Sequence, residues 1–113
     1  MRRYVICAVA VEGFHCWPDA PAGGLEYLRH RHRHIFTVRA AFPVRGNDRE
    51  IEINRRQNEI TRYLLSRYGN RVGACEFGPL ACEHIAQELL EHFGAAACTV
   101  LEDGLGGAGI VRQ

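Results

Sequence analysis

The stretch Ile35-Phe36-Thr37-Val38-Arg39-Ala40-Ala41-Phe42-Pro43-Val44 decides the fold class. Phe36, Val38, Ala40, Phe42 and Val44 alternate with Thr37 and Arg39, and period two puts the apolar set on one face. That pattern predicts a half-buried antiparallel strand. Just before it runs His30-Arg31-His32-Arg33-His34. If the strand extends back through this run, His32 and His34 project together, with His30 behind them. The arginines then take the opposite face.

Outward from this strand, Tyr4 to Val11 is a nearly continuous apolar run with β-branched residues, a second strand. Glu12-Gly13-Phe14-His15-Cys16-Trp17 and a Pro, Ala and Gly loop to Gly24 follow it. Gly46-Asn47-Asp48 is a turn signal. Apolar positions Ile53, Ile60, Leu64 and Tyr68 suit a helix with one buried stripe over about Glu52 to Tyr68. Gly69 and Asn70 are expected to end it in a left-handed cap. A Gly-rich loop is expected from there to Pro79. A second helix is predicted over about Leu80 to Phe93, burying Cys82, Ile85, Ala86, Leu89, Leu90 and Phe93, with Gly94 closing it. Ala97 to Glu102 reads as a strand, Gly104 to Gly107 as a turn and Ala108 to Arg112 as a last strand. The expected class is α+β in the order β-β-α-α-β-β, an antiparallel sheet carrying both helices on one face. Apolar residues on the second face call for cover there too, which a small subunit obtains by oligomerising.

The 113 residues fit one domain with one core. Net charge is +1, so bulk electrostatics do not suggest a nucleic-acid or membrane surface as partner. All basic residues are arginine, scattered and offset by acids. The five cysteines include no C-x-x-C pair, the opening residues lack a signal-peptide pattern, and no apolar run approaches the roughly 20 residues of a membrane span. The expected setting is the cytosol, with reduced thiols.

Neutral imidazole is a good zinc ligand, and three histidines with an open fourth position form a catalytic pattern. His15, at the end of the first strand, is the expected partner of His32 and His34 at the start of the second. A hairpin with a long loop makes those ends neighbours. His30 shares the face and is an alternative ligand. Arg29, Arg31 and Arg33 leave open a phosphate- or nucleic-acid-binding reading.

These motifs, in this order, resemble the 6-pyruvoyltetrahydropterin synthase and 6-carboxytetrahydropterin synthase family of the tunnelling fold. That family carries H-G-H-x-[YF]-x-V, and the chain reads His32-Arg33-His34-Ile35-Phe36-Thr37-Val38. Gly13-Phe14-His15 matches the family's strand-one histidine motif. Glu52-Ile53 resembles its acid opening the first helix, and Glu83-His84 its glutamate early in the second. Cys98-Thr99-Val100-Leu101-Glu102-Asp103 resembles its late V-x-V-x-E-T segment.

The resemblance implies zinc held by His15, His32 and His34, with Glu102 gripping the amino-pyrimidinone edge of a pterin and Glu83 facing the ligand. A carboxylate accepts two parallel hydrogen bonds from such an edge. It also implies a homo-oligomer, a hexamer of two stacked trimers that each close a twelve-stranded barrel, with sites at subunit interfaces. The expected activity is a zinc-dependent lyase acting on a dihydropterin triphosphate or a related pterin or deazapurine precursor. The chain departs from the family at the general base. Leu28 stands where the family has a cysteine, and the loop Gly69 to Pro79 has neither Asp nor His. Glu26 and Cys16 are the candidate catalytic groups in their place. A non-catalytic ring that binds a pterin or purine-like ligand is the alternative.

Overall fold

The strand decided by Phe36 to Val44 is longer than its alternation. In the computed structural model, which describes residues 1–113, β2 runs His32–Val44 and pairs antiparallel with β1, Arg3–His15. The ladder extends from Arg3 opposite Val44 to His15 opposite His32. The last three residues of the histidine run, His32 to His34, are therefore part of the strand, and His32 and His34 share the face of Phe36.

The other elements are α1 (Ile53–Tyr68), β3 (Cys75–Gly78), α2 (Cys82–Phe93), β4 (Ala97–Glu102) and β5 (Gly106–Val111). A single 3-10 turn, Glu26–Arg29, lies in the loop between β1 and β2. The sheet order is β3-β1-β2-β4-β5. The fold is α+β, as expected, but the sheet has five strands and is mixed, because β3 pairs parallel with the end of β1. The expected four-stranded antiparallel sheet is corrected on this point. Cys75-Glu76-Phe77-Gly78 is too short to carry a periodic signal and sits among glycines. It becomes a strand because Cys75 and Phe77 are buried in the core and Glu76 is held from the outside.

Both helices cover one face. Cys7 and Val11 of β1, Phe36 to Phe42 of β2, and Cys98 and Val100 of β4 meet Ile60 and Leu64 of α1 and Ile85, Ala86, Leu89 and Leu90 of α2. Together they belong to one cluster of 18 buried residues. Fully burying a side chain such as Phe36 or Phe42 contributes about 1.5–3 kcal/mol. Ile53, expected in the buried stripe of α1, is largely exposed at the helix start, where Glu52 caps it by accepting from the Asn54 N–H at 2.7 Å. Gly69 does not take the expected left-handed cap. Its backbone is extended (φ −65°, ψ 140°), and a Cβ there would stand 2.2 Å from the Leu65 carbonyl oxygen. Glycine is needed for that close approach. Gly94 does close α2 in the left-handed conformation, with φ 68°.

The opposite face of the sheet is open in the single chain. Tyr4 is 44% exposed and Ile6 54%, with Ala8 and Ala10 exposed beyond them. At the end of this face nearest the histidines, Arg33 pairs with Glu12, and Arg31 lies 3.6 Å over the Phe14 ring. Arg31 also forks onto Glu76 of β3, with Nε donating at 2.9 Å and Nη2 at 2.6 Å. No helix is long and apolar enough to cross a membrane.

A candidate metal centre at the sheet end

Three adjacent strands end at one corner of the core face. Register places His15 opposite His32, Gly13 opposite His34, and Glu102 opposite Phe36. The side chains of His15, His32, His34 and Glu102 therefore rise from β1, β2 and β4 on the same side. Gly13 makes room for this corner: a Cβ there would meet the Phe36 ring at 2.7 Å and the Phe77 ring at 2.8 Å. Phe36 in turn forms the floor, with the rings of His15 and His34 edge-on to it at 5.1 and 5.7 Å.

The three imidazoles are oriented alike. His15 Nδ1 lies 2.9 Å from the Leu80 carbonyl, His32 Nδ1 lies 2.8 Å from the His30 carbonyl, and His34 Nδ1 lies 2.7 Å from Asp103 Oδ2. Each partner is an acceptor, so each Nδ1 carries the proton and each Nε2 presents a lone pair. One ligand nitrogen from each ring lies within 4.8 Å of the other two. The buried Nε2 atoms of His15 and His34 have no hydrogen-bond partner. Leaving such groups unsatisfied costs about 1–3 kcal/mol each. Convergent imidazoles whose second nitrogens are fixed by carbonyl and carboxylate acceptors are the arrangement that metal sites use. His15 is 8% exposed, and burial depresses its pKa, which favours the neutral form that ligates. The donor set therefore fits zinc.

Two of the orienting groups come from positions that carry no motif. Leu80 precedes α2, which starts at Cys82 and not at the expected Leu80. Its carbonyl lies outside the helix ladder and is free to hold His15. Asp103 belongs to the β4–β5 turn, where Asp103 and Gly104 both have positive φ, 55° and 71°. Primed hairpin turns demand this, and Asp-Gly is a sequence signature for them. The turn swings the Asp103 carboxylate back onto β2, where it also accepts from the Ile35 N–H at 2.9 Å. These bonds hold its pKa below the ordinary range, the one from Ile35 most of all.

A cavity of about 680 Å³ opens beside the centre. His15, His32, His34, Glu102, Glu83 and Cys16 all line it, as do Trp17 and Leu28 from the β1–β2 loop. Glu102 Oε2 lies 3.0 Å from His15 Nε2, and Oε1 lies 3.5 Å from His34 Nε2. Cys82 donates its thiol to Glu102 at 3.8 Å, and burial, then the nearby carboxylate, pushes its pKa up to about 12. Glu26 is elsewhere. It is exposed and accepts from the Gly23 and Gly24 N–H groups at 2.9 and 3.0 Å, which ties down its own loop. His30 contributes its backbone carbonyl and not its ring to the trio. The arginines of the run have partners within the chain: Arg29 donates to the Ala20 carbonyl, Arg31 binds Glu76 and Arg33 binds Glu12.

No protein-family model matches this chain, and no curated protein matches it.

Proposed function

We propose that the chain is a zinc-dependent lyase of the 6-pyruvoyltetrahydropterin and 6-carboxytetrahydropterin synthase kind. Its substrate would be a dihydropterin triphosphate or a related pterin or deazapurine precursor. The observation that carries this reading is the convergence of three Nε2 atoms, each fixed through its Nδ1, at the wall of a cavity large enough for a bicyclic ring. The order of strands and helices around that corner supports a tunnelling-fold subunit. The exposed Tyr4, Ile6, Ala8 and Ala10 face supports a homo-oligomer, a hexamer of two trimers in which the open sheets line a barrel.

In this scheme His15, His32 and His34 would hold the zinc, which would supply Lewis acidity toward hydroxyl or carbonyl oxygens of the substrate. Glu83 and Glu102 face the cavity and offer acceptors for ring N–H groups. Trp17 and Leu28 add apolar wall to the cavity on the loop side. Cys16, at the cavity wall beside His15, is the remaining candidate for moving a proton.

One observation favours a second reading, a ring-forming binder that takes up a pterin or purine-like ligand without turnover. Leu28 lines the cavity at the position where the resembled family has its cysteine base, and Glu26 points away into its own loop. Metal analysis of the purified protein and product analysis with dihydroneopterin triphosphate separate the two. Stoichiometric zinc and turnover, both lost in His34→Ala, support the lyase. Zinc with ligand uptake but no product supports the binder. Turnover unchanged in His34→Ala sinks the metal mechanism.

A further inference from the structure

We propose that Glu102 is the fourth protein ligand of the metal held by His15, His32 and His34. This rests on the metal reading above and assigns its carboxylate to the ion in the ligand-free protein, in place of a role confined to the edge of a bound ring.

The contacts at this point set acceptors against acceptors, an arrangement that a bound cation would satisfy. His15 Nδ1 and His34 Nδ1 both face acceptors and keep their protons, so the Nε2 atoms are lone-pair donors. Glu102 places Oε2 3.0 Å from one of them and Oε1 3.5 Å from the other. These are acceptors facing acceptors. A proton on either Nε2 would give an ion pair with Glu102 but no hydrogen bond, because the carboxylate oxygens stand where neither Nε2 forms one. A metal ion held by the imidazole lone pairs would satisfy both nitrogens and the carboxylate together. Bonds of about 2.0–2.1 Å in a tetrahedron place neighbouring ligand atoms about 3.3 Å apart. Oε2 stands 3.0 Å from His15 Nε2 and Oε1 3.5 Å from His34 Nε2, so the carboxylate lies at about that separation from two of the three imidazoles, through a different oxygen for each.

The position is built into the fold. Glu102 is the last residue of β4 and stands opposite Phe36, one step along the same face from His34. The Asp103-Gly104 turn that follows anchors the backbone, and the Cys82 thiol donates to Oε2 at 3.8 Å. With Glu102 as a ligand, four protein groups would hold the ion. An incoming ligand would then compete with this carboxylate, and a displaced Glu102 would be free to accept hydrogen bonds from it.

The test uses the full chain with zinc alone. Zinc affinity is measured by chelator competition for wild type and Glu102→Gln, with circular dichroism confirming the fold. The zinc-loaded wild type is also crystallised without organic ligand. The expected results are a loss of affinity in Glu102→Gln of more than about tenfold, the lower end of what outer-shell partners alone cost, and a Glu102 oxygen bonded to zinc. Affinity unchanged in a folded Glu102→Gln, or a carboxylate standing outside bonding distance of the bound zinc, overturns the proposal while the metal reading stands. If Glu102→Gln does not fold, the wild-type structure decides alone. A wild-type chain that takes up no zinc overturns this proposal and the metal reading together.

Discussion

Asp103 shows how one residue serves two levels of the molecule. Its positive φ belongs to the turn between β4 and β5, and its carboxylate fixes His34 through Nδ1. Removing a partner that orients a ligand histidine costs roughly 10–100-fold in metal affinity. Asp103→Asn is therefore expected to weaken zinc binding within that range, with the fold intact, as chelator competition would measure. Affinity equal to wild type would show that His34 needs no such anchor. At this scale the histidine cluster was legible in the sequence and its supports were not. His32 and His34 stand out because i and i+2 on a strand share a face, and His15 because its strand ends beside them. The Leu80 carbonyl is a backbone atom and leaves no trace in residue identity. Asp103 did leave one: the Asp-Gly pair next to Glu102 is a hairpin signal, and reading the turn from it rather than from Gly104 would have brought the carboxylate back to β2.

Among the elements, β3 was the one not legible, and its anchoring explains why. Four residues offer no period, so what makes Cys75–Gly78 a strand is tertiary. Phe77 enters the core, while Arg31 and Asn70 hold Glu76 from the other side. The hydrogen bond from Arg31, then the one from Asn70, lowers the Glu76 pKa from 4.5 to about 2. The folded state thus binds the proton more weakly than the unfolded chain. Its contribution to stability is present above the ordinary value of 4.5 and is lost as the pH falls through the folded value near 2. Thermal unfolding of the metal-free protein should show a decline in stability between these limits that is smaller in Glu76→Gln. Parallel pH profiles for the two proteins would exclude this role. β2, by contrast, was readable because its core face alternates, β1 because its apolar run is nearly continuous and β-branched, and α2 because its stripe from Cys82 to Leu90 repeats at helical spacing.

The whole molecule presents two unlike faces. The helix-covered side holds the core, and the other side of the sheet leaves Tyr4 and Ile6 about half exposed. In the proposed ring this surface is covered by neighbouring subunits, so Ile6→Asp should shift the protein to smaller species in sedimentation analysis. Wild type and variant sedimenting alike would remove the open face from the assembly. The Asp103-Gly104 turn has a further consequence, for motion. β5 is an edge strand joined to the sheet only through β4, the position from which chains fray first. Yet its turn holds Asp103 on His34 and follows directly on Glu102. Any opening of this hairpin has to release both carboxylates, and zinc held as proposed by His34 and Glu102 would oppose that release. Amide protons of Gly106 to Val111 should then exchange with solvent more slowly when zinc is added, so an edge strand that supplies none of the proposed metal ligands would report on occupancy of the centre.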